Sequence, residues 1–228
     1  MRIFVLSLPK DGEKLERFRS ELARTLPGEV FEIPEMFNAR LFSEKRIAEV
    51  YDKEKTIKNY ETEIGKGEIG NILSQQSIFE KIAEEEEGVA AIFEDDAKIS
   101  DRLKEAIPYI LNWLSTNKHR PIALLLSQPS TYRLWQSTSL GDGKHRVVKV
   151  LSASGNYGYI VNAKGAKSLL ALNRPISRHP DDWKYYQKTK KINVFSIYPF
   201  LVGNYDFDRK HSNLSKERYD MWHAARKE

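Results

Sequence analysis

A chain of 228 residues with 40% hydrophobic and 30% charged residues can bury a substantial core and is too apolar to stay disordered. It has no cysteine, which excludes disulfides, thiolate metal sites and a thiol nucleophile. Its 37 basic residues against 32 acidic ones give a net charge of +5, which favours anionic partners without choosing among nucleotide-sugars, nucleic acid and anionic lipid.

Residues 2–8 predict a strand, broken by Pro9 to Gly12 before a helix with Leu15, Phe18 and Leu22 on one face. Ser7, Lys10 and Arg17 lie near this strand end, and surface solvation accounts for the two charged residues as readily as a site does. The opening apolar stretch is too short for a signal peptide, and no run reaches the length of a membrane span. The expectation is a cytoplasmic protein, with basic residues that allow peripheral contact with an anionic membrane at the inner face of the cell membrane. Val30-Phe31-Glu32-Ile33 predicts a second strand closed by Pro34, and residues 43–63 a lysine-rich surface helix and loop. Gly65-Lys66-Gly67-Glu68-Ile69-Gly70 opens the next helix with small residues. They allow close approach either of a phosphate, which makes Gly67 and Glu68 candidate contacts, or of another backbone.

Val89-Ala90-Ala91-Ile92-Phe93 predicts a buried strand that runs straight into Glu94-Asp95-Asp96. Three carboxylates at a strand tip repel one another unless a cation offsets them, and oxygen-only ligands suit Mg2+ or Mn2+, although solvated acidic triplets are common. Open α/β sheets also place their ligands at such tips. A helix follows with Leu103, Ile107, Ile110, Leu111 and Leu114 in register, capped by Ser100 or Asp101 and kinked or restarted by Pro108. Ile122 to Leu126 is another buried strand. The polar segment with Tyr132 and Trp135 turns at Gly141-Asp142-Gly143 into the hairpin arm Arg146 to Leu151, where exposed aromatics suit either a sugar ring or local packing. Gly155 to Val161 reads as a strand, Ala163 to Leu170 as a helix, and Asn193 to Ile197 as the last strand. Pro180-Asp181-Asp182 opens a helix at Trp183. No repeat or linker divides the chain, so one domain over 1–228 is expected, with a core of about 1–203 and a polar tail 204–228.

Taken together these segments resemble glycosyltransferase family 25, whose members include lipooligosaccharide galactosyltransferases. The resemblance rests on Val5-Leu6-Ser7-Leu8 with Arg17-Phe18, on Gly67-Glu68-Ile69-Gly70-Asn71-Ile72-Leu73-Ser74, on Ile92-Phe93-Glu94-Asp95-Asp96, and on Gly158-Tyr159-Ile160-Val161 with Gly165-Ala166. It extends from the start to about Val202. Asn71 stands where the family signature has Cys, Gln75 where it has His, and Pro175-Ile176-Ser177 where it has Pro-Ile-Asp, the acids being displaced to Asp181 and Asp182.

The resemblance implies an α/β, nucleotide-diphospho-sugar transferase (GT-A-like) single domain with a central mixed, mostly parallel sheet. It implies an inverting, metal-dependent hexosyltransferase that moves galactose from a UDP-sugar to a saccharide or glycolipid acceptor in lipopolysaccharide biosynthesis. Glu94 and Asp96 then hold Mn2+ or Mg2+, with His211 completing the shell, although a lone exposed His is commonly just solvated. Asp95, Ser7, Leu8, Arg17, Gly67 and Glu68 contact the nucleotide, and Asp181 or Asp182 is the base, against a competing reading as helix caps. A catalytically impaired nucleotide-sugar-binding module and a glucosyltransferase of the same fold are the alternatives. A two-metal phosphohydrolase lacks a second acid-rich or His-rich motif, and aromatics that do not interleave with a basic stripe argue against nucleic acid.

Overall fold

The computed structural model describes residues 1–7 and 12–205. Apolar runs of four to six residues make the centre of one sheet: β1 (Arg2–Leu6), β2 (Val89–Glu94), β4 (Ile122–Leu125), β7 (Gly158–Asn162) and β8 (Asn193–Tyr198). The hairpin β5 (Thr131–Ser139) and β6 (Arg146–Ser152) extends it, giving the order β1-β2-β7-β4-β8-β6-β5. The result is a mixed α/β single domain built on a central seven-stranded mixed sheet.

The expectation of a mostly parallel sheet needs correction. β1, β2, β4, β8 and β5 run one way, yet only the β1–β2 and β4–β8 ladders are parallel, because β7 and β6 run against them and sit between them. The short turn of the β5–β6 hairpin permits no other pairing there.

Alternation along the strands loads both faces. In β1, Ile3 and Val5 face one core with Phe18 and Leu22 of α1 (Gly12–Thr25) and with Leu103, Ala106, Ile110 and Leu114 of α5 (Arg102–Thr116). Phe4 and Leu6 face the other, with Ile78, Phe79 and Ile82 of α4 (Lys66–Glu84), Ala166 and Leu169 of α6 (Ala163–Leu172), and Trp183 and Tyr186 of α7 (Trp183–Lys188). Each large apolar side chain buried in this way stabilises by roughly 1.5–3 kcal/mol, so the two-sided core dominates the energetics. A smaller third cluster joins Ile47, Tyr51, Ile64, Ile69, Ile72 and Ile176 beneath α2 (Glu44–Val50) and α3 (Lys53–Tyr60).

Three local expectations change. Val30–Ile33 forms no strand; Glu32 alone makes a parallel bridge to Phe4. Pro108 lies inside an unbroken α5, on its exposed face, where the carbonyl of exposed Lys104 that loses its partner can turn to water. The three-residue strands β3 (Ala97–Ile99) and β9 (Val202–Asn204) form an antiparallel ribbon with no sequence forecast. The ribbon is fastened to the sheet where the N–H groups of Leu201 and Val202 both donate to the Leu126 carbonyl.

Candidate active site

The C-terminal ends of β1 and β2 and the start of β7 meet at one edge of the sheet. Leu6 is the register partner of Glu94, Phe93 that of Gly158, and the Glu94 N–H donates to the Tyr157 carbonyl at 3.2 Å. The acidic triplet therefore stands between β1 and the segment leading into β7. β2 ends at Glu94, and Asp95 with Asp96 forms the turn into β3. Pairing Glu94 with Asp96 on one side by strand alternation would need extended backbone through Asp96, and the extended backbone does not continue past Glu94. The Tyr205 N–H donates to the Asp96 carbonyl at 3.0 Å, while the Arg17 guanidinium lies 4.5 Å over the Tyr205 ring. Arg17 is thereby brought to the neighbourhood of the triplet. The Tyr205 hydroxyl donates to Glu21 at 2.7 Å. Burial pushes the Glu21 carboxyl up, but the Tyr205 hydroxyl, the Ile99 N–H and Arg24 hold it below the ordinary carboxylate range.

Ser7 follows Leu6 and is 3% exposed, and its hydroxyl has no hydrogen-bond partner among the described residues. Leu8, Lys10 and His211 lie outside the described residues. Among those described, no group of three His, Asp or Glu side chains stands ready to hold a metal ion. Glu94, Asp95 and Asp96 offer oxygen donors only, which fits a hard divalent ion held by one or two carboxylates together with substrate phosphates, and does not fit an all-protein cage.

A second polar cluster forms where α3, α4 and α7 converge. Asp182 caps α7, its Oδ1 accepting the Tyr185 N–H at 3.1 Å, while its Oδ2 accepts the Tyr60 hydroxyl at 2.5 Å and lies 3.4 Å from Arg178. Burial, and then the bond to Asp182, raises the Tyr60 phenol well above its ordinary value, so it remains a donor throughout the neutral range. Glu68, nearly fully buried, meets His179 Nδ1 at 2.7 Å, and the His179 ring packs on Tyr60 with centroids 4.4 Å apart. The glycine-bounded start of α4 thus places Glu68 against His179. At Gly70 the helix lies tight against the Phe37 carbonyl, which belongs to a loop and not to the sheet. Ser177 is fully buried, its N–H on Asn173 and its carbonyl on Asn59, leaving Asp181 and Asp182 as the acids of that element.

The segment 155–157 ties the two clusters together. The Gly155 N–H donates to Asp181 Oδ2 at 2.8 Å, its carbonyl accepts the Trp183 indole N–H at 3.3 Å, and two residues on Tyr157 bonds Glu94. Gly155 sits at φ +89°, a conformation that other residues adopt only under strain. Sequence reasoning passed over Asn156 between them, although the neighbouring glycine and tyrosines marked a special turn. Asn71 and Gln75 are also accounted for. Gln75 Nε2 donates to Asn71 at 2.9 Å, and Gln75 Oε1 accepts the Tyr159 hydroxyl at 3.0 Å. Burial, and then the Glu94 carboxylate, keeps the Tyr159 phenol protonated as that donor.

A model of glycosyltransferase family 25 (LPS biosynthesis protein) matches residues 1–184, a span that holds both polar clusters except for Tyr205 and Tyr185. No curated protein matches the chain.

Proposed function

The chain belongs to glycosyltransferase family 25, a family of lipopolysaccharide biosynthesis, and from that premise we propose that it transfers a hexose, galactose, from a UDP-sugar to a saccharide or glycolipid acceptor with inversion. The observation that carries the reading is the short segment 155–157, bonded at one end to Asp181 and at the other to Glu94. One loop that joins a candidate base to the strand end carrying a candidate diphosphate site supports the displacement this reading requires.

In this reading the donor diphosphate lies at Glu94 and Asp96, with Ser7 and Arg17 on the side of β1. A divalent ion held there with the phosphates would neutralise the charge that develops on the departing UDP. Asp181 takes the proton of the acceptor hydroxyl as its oxygen bonds to the anomeric carbon and the bond from that carbon to the diphosphate breaks. Asp182 has both oxygens committed to Tyr185, Tyr60 and Arg178, which suits positioning of the α7 start better than proton transfer. No helix among the described residues is long and apolar enough to cross a membrane, so contact with a glycolipid acceptor is proposed as peripheral.

The test is UDP release from UDP-galactose and UDP-glucose with Mn2+, with EDTA and with Asp96→Asn. Turnover that EDTA abolishes, and that Asp96→Asn lowers at least about 100-fold, supports the reading. Turnover indifferent to both sinks the metal–diphosphate assignment. UDP binding with no turnover for any donor or saccharide acceptor selects the binding-module alternative.

A further inference from the structure

We infer that Asn156 reads the hydroxyls of the transferred sugar. Asn156 is 3% exposed, and neither its Nδ2 nor its Oδ1 has a hydrogen-bond partner among the described residues. A buried amide with both halves unsatisfied is costly, and native structures keep few of them. The loop around it is pinned on both sides: Gly155 by Asp181 and Trp183, and Tyr157 by Glu94. The side chain in the middle of an anchored loop is therefore held in place with its donor and acceptor unused. That is how a site prepared for a ligand differs from a badly packed one.

Position selects the ligand. β2 has β1 on one side and β7 on the other, so Ser7, a second buried side chain at this edge without a partner among the described residues, flanks the acidic triplet opposite Asn156. The inference rests on the glycosyl-transfer reading above. There the transferred sugar lies between the diphosphate at Glu94 and the base Asp181, and Asn156 is the residue on the chain segment joining them. A primary amide donates through Nδ2 and accepts through Oδ1, which matches two neighbouring hydroxyls of a hexose, each able to do both. A site built to bond hydroxyls discriminates strongly, because a sugar with a hydroxyl inverted leaves the buried amide unpaired again.

The experiment titrates UDP, UDP-galactose and UDP-glucose in the presence of Mn2+ into wild type, Asn156→Ala and Asn156→Leu, and records the Tm of each protein without ligand. Expected are UDP affinity within about 2-fold of wild type, affinity for the preferred UDP-hexose down at least about 10-fold, and a preference between the two epimers that flattens toward unity. Asn156→Leu is expected to raise the ligand-free Tm, because it removes the unsatisfied amide at similar volume. Equal losses for UDP and UDP-hexose, or UDP-hexose binding and epimer preference left intact, overturn the assignment. A ligand-free Tm lowered by Asn156→Leu overturns it as well, because it shows an amide satisfied by the protein or its water. Wild type that binds UDP but no UDP-hexose overturns it while leaving a nucleotide site. Wild type that binds no nucleotide at all overturns the glycosyl-transfer reading, and the Asn156 assignment with it.

Discussion

Asp181 and Asp182 are adjacent carboxylates with different partners, and single substitutions should separate them. Asp181→Asn keeps an oxygen to accept the Gly155 N–H, so the loop stays anchored while the proton acceptor is lost. Its turnover should fall about 100-fold or more, with Tm within a few degrees of wild type. Asp182→Ala removes the α7 cap and leaves the Tyr60 hydroxyl and Arg178 without their shared acceptor, so it should destabilise by about 1–3 kcal/mol in urea unfolding. A large stability loss in Asp181→Asn, or full activity in it, would assign Asp181 a structural role. Tyr159→Phe offers a companion measurement in the core: Gln75 Oε1 loses its buried donor, at about 1–3 kcal/mol, although no apolar contact changes. At this scale the sequence made the chemistry of charged residues readable and hid that of neutral ones. Glu94, Asp96 and Asp181 were visible as acids at a strand tip and a helix start. Asn156 carries no charge and belongs to no periodic pattern, and only burial without a partner singles it out.

Elements are fixed in this molecule by a few close approaches. A Cβ added at Gly70 would lie 2.2 Å from the Phe37 carbonyl oxygen, in a helix turn already tied to that segment by the Phe37 N–H donating to Ser74 at 3.0 Å. Gly70→Ala should therefore cost about 1–3 kcal/mol or more, since backbone has to move. Gly12→Ala, with nothing among the described residues within 4 Å of the added carbon, should not destabilise the protein in urea unfolding. The β5–β6 hairpin makes a pH-dependent prediction. Burial pushes the Asp142 carboxyl up, but the His145 and Lys144 backbone N–H groups and the His145 ring hold it down at about 2, against an ordinary 3.8. The folded value lies below the unfolded one, so this stabilisation is complete above about pH 4 and is lost as pH falls toward 2. Asp142→Asn should flatten the acid limb of stability against pH in that window. Long apolar runs made β2, β4, β7 and most helices legible. The β3–β9 ribbon was not, because three-residue strands leave no period to read and their pairing spans about a hundred residues of chain.

Across the whole molecule, the candidate site is assembled from the ends of elements and not from any one of them. Leu6 of β1 leads to Ser7, β2 ends at Glu94 and turns through Asp95 and Asp96, the segment 155–157 enters β7, and the ribbon returns Tyr205 to the Asp96 carbonyl. A ligand at this edge would contact groups on separate elements and should restrain them together. UDP with Mn2+ at about 100 times its Kd should stabilise the protein by roughly 2.7 kcal/mol, and EDTA should remove most of that gain if the ion is shared with the phosphates. Hydrogen exchange locates the effect. The Glu94, Tyr205 and Leu201 amides, each bonded to a carbonyl of another segment, should slow on ligand addition, while those of α2 and α3 stay unchanged. UDP-hexose should extend the protection to Gly155, whose N–H reaches Asp181 beyond the sugar position. Protection confined to α2 and α3, or spread evenly over the chain, would place the ligand elsewhere, because only binding at the sheet edge restrains those amides while sparing the helices beyond the third cluster.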